Sequence, residues 1–266
     1  MTVPTLGLDT FRDNFDAKVR ALGMTWEVVG FYAPNPRIYS FGTDTKVIST
    51  VFETLTAPLV ETIAKEFDYI VEGSKQTIYP DFTLSPSPGK PPRIAIDIKT
   101  TYRRFNARGE PTTFRYTLGS YTSFIRSPEG TKNILHPYDE YSDHWTVGFL
   151  YTRRDGVAPK VYDKPEEVTS HQCPYKDVEY FVQHKYKIVG ETAASGNTAN
   201  IGSFPTASIQ DLRDGKGPFA KLGKEKCDEY WRDYVRTAAE RAKKYANIEE
   251  FLVWLANQTA ENGNGK

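Results

Sequence analysis

The alternation of apolar and polar residues predicts both helices and strands in this chain. Apolar residues recur at helical spacing from Asp9 to Leu22 and again from Asp44 to about Phe67, which predicts two amphipathic helices. Between them, Trp26 to Tyr32 and Arg37 to Phe41 are typical of two strands joined by a proline-containing turn. The order of these elements indicates a mixed α/β chain with a helix-rich beginning.

Strict alternation returns in the middle of the chain, from Ile94 to Lys99. Side chains on a strand point to opposite faces with period two, so the three isoleucines of this segment share one face. Asp97 and Lys99 then project together from the other face. A later segment, Trp145 to Tyr151, alternates in the same way and is predicted to be a core strand.

A second strand, Asp81 to Leu84, is predicted just upstream. Pro80 suits the first position of a strand, and it favours an extended conformation at Tyr79. The proline- and glycine-rich residues 85–92 suit a hairpin connection. The sequence therefore predicts that Asp81 and Asp97 lie side by side on adjacent strands.

The remaining patterns are weaker. Residues 71–78 are polar with a Gly-Ser turn signal, which predicts a loop before the Asp81 strand. A helix is predicted from Glu225 to Lys243, followed by a segment that Asn247 caps and that ends near Asn257. We expect the tail, residues 258–266, to be disordered.

Composition favours a packed globular protein but gives no overall sign of a nucleic-acid partner. Hydrophobic residues make up 39% of the 266 residues, and no apolar run approaches the roughly 20 residues that span a bilayer. The first residues lack the pattern of a signal peptide, so we expect a cytoplasmic protein with no membrane partner. Lys plus Arg and Asp plus Glu both number 34, so DNA binding would require positive charge to be concentrated locally. Small basic clusters occur at Arg103-Arg104, Arg153-Arg154, Lys185 with Lys187, and Arg236 to Lys244.

Two carboxylates and an amine form a set that suits phosphodiester hydrolysis. Mg²⁺ prefers oxygen ligands and is usually held by one or two carboxylates plus substrate phosphate oxygens, which Asp81 and Asp97 would leave room for. Lys99 could orient or deprotonate the attacking water and offset charge on phosphorus. Asp-x-Lys alone is common, however, and an exposed strand with a surface ion pair would produce the same pattern.

Longer segments tie this pattern to a known family. Pro-Asp followed by fifteen residues and Asp-x-Lys resembles the PD-(D/E)xK nuclease superfamily. The segments AIDIKTTY (95–102), TLGSYTSFIR (117–126), TKNI (131–134) and SGNTANIGS (195–203) are similar, in this order, to those of the EcoRV family of type II restriction endonucleases.

The resemblance implies a fold and an activity. The fold is restriction-endonuclease-like, with a central mixed sheet flanked by helices and a dimerisation subdomain. One domain would span residues 1–266, with a helix-rich N-terminal dimerisation part over about 9–70 and a catalytic and DNA-recognition part over 71–257. The activity is Mg²⁺-dependent cleavage of palindromic double-stranded DNA by a homodimer, at GATATC or a related hexamer and with a blunt cut. A companion DNA methyltransferase in the host is a further implied partner.

The resemblance also implies roles for individual residues. Asp81 and Asp97 would be metal ligands, Lys99 the water-orienting or acid-base residue, and Glu53 a further catalytic carboxylate and metal ligand. DNA contacts are implied for Lys46, Gln76, Thr101, Ser123, Lys132, Ala194, Ser195, Gly196, Asn197, Thr198, Asn200, Arg236 and Arg241. Ala194 stands where the family has glycine, and Ala199 where it has threonine. Without the resemblance, residues 191–203 are simply a surface loop of small and polar residues.

Two alternatives remain open at this point. A nuclease of the same superfamily could act in repair on particular DNA structures, in which case it would nick flaps or junctions. A DNA-binding module whose acidic cluster is inert would bind DNA fully in Mg²⁺ without cutting it. Discrete plasmid fragments of fixed size would favour a restriction enzyme over both.

Overall fold

A five-stranded mixed sheet carries the elements that form the site. The computed structural model describes residues 6–75, 77–119, 121–194, 200–234 and 237–263. The strands are β1 (Gly30–Tyr32), β2 (Ile38–Ser40), β3 (Tyr69–Gly73), β4 (Phe82–Pro86), β5 (Arg93–Tyr102), β6 (Tyr141–Arg153), β7 (Val161–Tyr162), β8 (Tyr175–His184), β9 (Val189–Ala193) and β10 (Ile201–Ser203). The helices are α1 (Leu8–Ala21), α2 (Thr45–Glu66), α3 (Tyr121–Arg126), α4 (Ile209–Arg213), α5 (Lys224–Asp233), α6 (Ala238–Lys243) and α7 (Ile248–Gly263).

The strands of the large sheet follow the order β3-β4-β5-β6-β8. β5 and β6 are parallel, and the other neighbouring strands are antiparallel. Two smaller antiparallel sheets, β1-β2-β7 and β9-β10, accompany it. The predicted α/β class with a central mixed sheet flanked by helices is confirmed.

Side chains on the two faces of the sheet pack into two separate hydrophobic cores. The isoleucines of β5 and the aromatic residues of β6 pack in one core with α1 and α2. Ala95 and Leu150, on the opposite face, belong to a second core with residues of α3, α5 and α7. Because both faces are covered, Asp97 in the middle of β5 is buried, whereas the strand is half-buried from Lys99 to Tyr102.

Helix α2 spans one side of the first core. Its N-cap, Asp44, accepts hydrogen bonds from the backbone N–H groups of Lys46 and Val47 at 2.8 and 3.2 Å, as the sequence predicted. By length and composition alone, α2 could cross a membrane, and it is the one helix among the described residues of which this is true. In this fold, however, its inner face lies in the core, where Phe52 stacks on Phe149 with ring centroids 4.5 Å apart.

Two regions near the N-terminal half differ from the predictions. The predicted strand from Trp26 is regular only over Gly30–Tyr32, because Trp26 itself has a φ of 62° and turns into the core. The loop predicted for residues 71–78 includes part of β3, which pairs with β4 over its whole length. Strand pairing outweighs the polar composition there, as context often does for β-structure.

Two predictions at the carboxyl end were also wrong. The helix predicted from Glu225 to Lys243 is divided into α5 and α6. Thr237 and Glu240 form a reciprocal capping box that starts α6 afresh, and this competes with continuation of α5. Helix α7 continues to Gly263, so residues 258–263 are helical rather than disordered, and the helix ends at a glycine, a common stop.

Candidate active site

The end of β5 brings Asp97 and Lys99 together on one face, as predicted. The Asp97 side chain is buried, with 3% of it exposed, and Lys99 Nζ lies 2.8 Å from Asp97 Oδ1. Both residues lie on the face of β5 opposite its core isoleucines. The alternative of an exposed strand with a surface ion pair is therefore wrong for this pair.

Asp81 joins them from the neighbouring strand. It directly precedes β4, in which Phe82 pairs with Ile96 and Thr83 with Ala95. Continuing this antiparallel register by one position sets Asp81 opposite Asp97. Asp81 Oδ2 accepts a hydrogen bond from the Ile98 backbone N–H at 2.5 Å, which fixes the carboxylate against β5.

Burial and the neighbouring charges separate the two aspartates electrostatically. Burial, together with the negative charge of Asp97, raises the pKa of Asp81 to about 7. Burial would also raise the pKa of Asp97, but the ammonium groups of Lys99 and Lys185 outweigh it and hold that pKa below its usual value. For Lys99, the two aspartates outweigh burial and raise the pKa, so the amine is a cation at neutral pH.

These side chains open into a cavity of about 300 Å³. Its lining consists of Thr77, Ile78, Tyr79, Asp81, Asp97, Lys99, Leu118, Gly119, Ser123, Phe124 and Asn133. Thr77 and Asn133 have φ values of 75° and 61°, a left-handed conformation that few non-glycine residues adopt. The Asn133 carbonyl accepts a hydrogen bond from the Tyr79 N–H at 3.0 Å. This bond joins the loop that contains Asn133 to the segment that leads into β4.

A second lysine lies behind the aspartates and was not singled out from the sequence. Lys185 was grouped with Lys187 as a basic surface cluster, but it is fully buried and its Nζ lies 3.3 Å from Asp97 Oδ2. The ammonium also lies 4.4 Å from the centroid of the Tyr79 ring. The Tyr79 hydroxyl in turn lies 2.7 Å from Nδ1 of the buried His144, so this histidine has a structural partner.

Glu53, the third implied metal ligand, lies on α2. It is exposed on α2 and is not among the residues that line the cavity, although its charge acts on Asp81 and Lys99. Within the described ranges, no group of three or more His, Cys, Asp and Glu side chains could hold a metal ion. Coordination of a metal ion by Glu53 stays a prediction.

The donor set nevertheless fits a hard divalent cation. Asp81 and Asp97 present carboxylates at one cavity, and Mg²⁺ commonly takes only one or two protein carboxylates, with waters and phosphate oxygens completing its octahedron. Soft metals would favour thiolates, and Cys173 and Cys227 are buried in the two cores instead.

Several residues with implied DNA contacts lie near or beside this cavity. Ser123 is exposed on α3 and lines the cavity. Thr101 follows Lys99 by two positions on β5 and is half-buried, and Lys132 is exposed. Lys46 is exposed at the start of α2, whereas Arg241 lies on α6 with its guanidinium 5.6 Å from the centroid of the Tyr234 ring.

Two further residues with implied DNA contacts, Ala194 and Asn200, lie directly after β9 and directly before β10. Ala194 N donates to the Asn200 carbonyl at 2.9 Å, which closes the stem. Ala194 is buried, with 4% exposed, so its side chain supports the stem, and the predicted DNA contact is not supported for it. Asn200 is half-buried. The implied contacts Gln76, Ser195, Gly196, Asn197, Thr198 and Arg236 lie outside the described residues.

Comparison with known proteins finds related chains over most of this length. A family model described as Restriction endonuclease EcoRV matches residues 23–256. The type II restriction enzyme EcoRV of Escherichia coli is 44% identical over 234 residues, which is 86% of this chain and 91% of that protein.

Proposed function

Because the chain belongs to the EcoRV family of restriction endonucleases, we propose that it cuts a palindromic DNA hexamer, GATATC or a related sequence, in a Mg²⁺-dependent reaction that leaves blunt ends. The chain is a type II restriction endonuclease that acts on phosphodiester bonds of double-stranded DNA. The observation that carries the proposal is the meeting of Asp81, Asp97 and Lys99 at one cavity.

Each of these residues has its own proposed role in hydrolysis. Asp81 and Asp97 would hold the metal ion, and a bound Mg²⁺ supplies Lewis acidity and a more acidic water. Lys99, cationic and hydrogen-bonded to Asp97, is placed to orient the water and to offset negative charge that develops on the phosphate. Glu53 contributes its charge from the exposed side of α2. Ser123, at the cavity rim, is a candidate donor to a phosphate oxygen.

The β9–β10 hairpin is the proposed reader of the sequence. In this proposal, Asn197 and its neighbours reach the base edges in the major groove, where amide side chains can pair with donor and acceptor groups. Arg236, Arg241, Thr101, Lys132 and Lys46 would contact the DNA backbone, which fixes position without reading sequence.

We propose a homodimer, which suits a palindromic site because each subunit reads one half. Its support is an apolar row on the small β1-β2-β7 sheet. Phe31 pairs with Tyr39, and Tyr39 pairs with Val161, so the three side chains share a face. They are 55%, 40% and 46% exposed, and an apolar row of this kind is typical of an interaction surface. The enzyme would act in the cytoplasm beside a methyltransferase that protects the host's own sites.

Sequencing the ends of digested plasmid tests the proposal. Wild-type protein with MgCl₂ is expected to give fixed fragments with blunt, 5′-phosphorylated ends at one hexameric palindrome, and EDTA should prevent cutting. Staggered ends or unrelated cut positions would contradict the proposed specificity. Nicking at flaps or junctions would instead indicate a repair nuclease, and binding without cutting would indicate an inert module.

A further inference from the structure

Lys185 is a buried cation whose placement requires an explanation. It opens a short 3₁₀ turn, Lys185–Lys187, directly after β8, and none of its surface is exposed. A buried ammonium is costly unless charged or polar groups surround it, and lysine is rarely found fully buried without them. Lys185 has such a group beside it, because its ammonium pairs with the Asp97 carboxylate.

The Asp97 carboxylate is held from two directions. Lys99 Nζ lies 2.8 Å from Oδ1, and Lys185 Nζ lies 3.3 Å from Oδ2. Lys99 lines the cavity, but Lys185 is not among the lining residues. The two lysines thus contact separate oxygens of the Asp97 carboxylate, Lys99 from the cavity side and Lys185 from the protein interior.

Lys185 also touches the segment that carries the second aspartate. Its ammonium lies 4.4 Å from the centroid of the Tyr79 ring, and Tyr79 is two residues before Asp81. A single buried cation therefore contacts elements that supply both carboxylates. Since Asp81, Asp97, Lys99 and Lys185 together carry no formal net charge, the cluster is balanced before any metal binds.

We propose that Lys185 is a positioning residue for hydrolysis, which holds the Asp97 carboxylate at Oδ2 in the orientation that meets the metal ion. The proposal rests on the metal-dependent nuclease function proposed above. Lys185 does not reach the cavity and acts through Asp97, in the way that outer hydrogen-bond partners orient metal ligands in other proteins.

Replacing Lys185 by methionine separates positioning from simple packing. Lys185→Met keeps the length and apolar stem of the side chain but removes the ammonium. Lys187→Met is the matched control, because it removes the same charge two residues away, where Nζ lies 6.0 Å from the Tyr186 ring. Two quantities are measured: Mn²⁺ affinity of the DNA-free protein by electron paramagnetic resonance, and the single-turnover cleavage rate at saturating Mg²⁺.

Lys185→Met is expected to weaken Mn²⁺ binding and to slow saturated cleavage, each by about 10- to 100-fold, the usual cost of losing an outer partner. Lys187→Met should match wild type in both. A folded Lys185→Met with unchanged affinity and rate would overturn the proposal, and so would higher Mn²⁺ affinity, which would mean that the ammonium only repels cations.

Folding and function are checked separately. If Lys185→Met does not give a cooperative thermal transition, Lys185→Gln, which keeps a polar donor without the charge, is measured against the same criteria. If wild-type protein fails to cleave DNA, the proposed function fails. The Mn²⁺ comparison still decides the role of Lys185 in that case.

Discussion

Asp81 and Asp97 occupy one site but differ in how readily they ionise. Asp97 has two lysine partners. Asp81 is buried beside a negatively charged aspartate, and Lys99 and one backbone N–H offset this only in part. The metal-free protein therefore holds an aspartate that is only partly ionised at neutral pH. A site of this kind is stabilised by the cation that it binds and is strained without it.

Asp81→Asn should stabilise the metal-free protein, and the gain should grow with pH. The pKa of Asp81 is raised from 3.8 to about 7 in the folded chain, so wild type loses stability as pH rises from about 4 to about 7 and then levels off. The neutral variant avoids this loss, which is on the order of 4 kcal/mol at pH 8. Urea unfolding in EDTA at pH 5 and pH 8 measures it. A difference that is the same at both pH values would contradict the assignment.

At this scale the sequence predicted the site in part. Asp97 and Lys99 follow from strand alternation, and Asp81 from the proline before it and the hairpin-like connection, all of which are local signals. Lys185 could not be found in this way, because it meets Asp97 across 88 positions of the chain. Glu53 was assigned from the family resemblance, because nothing in its own sequence pattern sets it apart from an ordinary helical surface carboxylate.

The β9–β10 hairpin is the element on which specificity is proposed to depend. Its stem is held by the pairing of Ile201 with Ala193 and by the hydrogen bond from Ala194 to Asn200. The residues proposed to read the bases lie between these two strands in the sequence. Loops on a rigid scaffold commonly carry recognition.

Asn197→Ala should reduce cleavage at the specific site far more than it reduces affinity for unrelated DNA. Loss of a base contact costs about 1–3 kcal/mol of discrimination, whereas backbone contacts are unaffected. Cleavage rates and competition binding with non-specific duplex provide the two values, and Asn257→Ala on the exposed face of α7 is the control. Equal losses of cleavage and of non-specific affinity would argue against base readout by Asn197.

Tyr39→Asp should weaken the proposed dimer. The side chain lies in the middle of the apolar row of the β1-β2-β7 sheet, and burying a carboxylate there without a partner is unfavourable. Sedimentation velocity should register at least a tenfold weaker association than in wild type. The control is Val253→Asp on α7, where the original side chain is 63% exposed. If Tyr39→Asp associates as tightly as wild type, the interface lies elsewhere.

Element boundaries could be predicted where periodicity and capping agree, and not where they compete. The start of α2 was predicted correctly, because Asp44 and the apolar stripe both place the beginning of the helix at the same point of the chain. The helix predicted from Glu225 to Lys243 fails because the capping box at Thr237 starts a new helix within a continuous helical pattern. β3 was missed because its polar composition carries no strand signal and its order depends on pairing with β4.

For the whole molecule, equal numbers of acidic and basic residues are compatible with a DNA enzyme only if charges are sorted in space. Some residues of the predicted basic clusters make contacts within the protein. Arg103 pairs with Glu179 and donates to the Asp177 carbonyl, and Lys185 is buried. Fold and family followed from motifs spread along the chain. The distribution of charge and the two-sided core could not be read from composition, because both depend on contacts between distant segments.

The most direct measurement of the central claim is single-turnover cleavage of plasmid DNA by Asp97→Ala in saturating Mg²⁺. Removing this ligand should lower the rate at least about a thousandfold, in line with the several kcal/mol that a metal ion contributes to a transition state. The variant should still unfold cooperatively and bind DNA. Asp163→Ala, which removes an exposed aspartate paired with Arg37, should cut at the wild-type rate. A folded Asp97→Ala protein that cleaves as fast as wild type would contradict the assignment of this site.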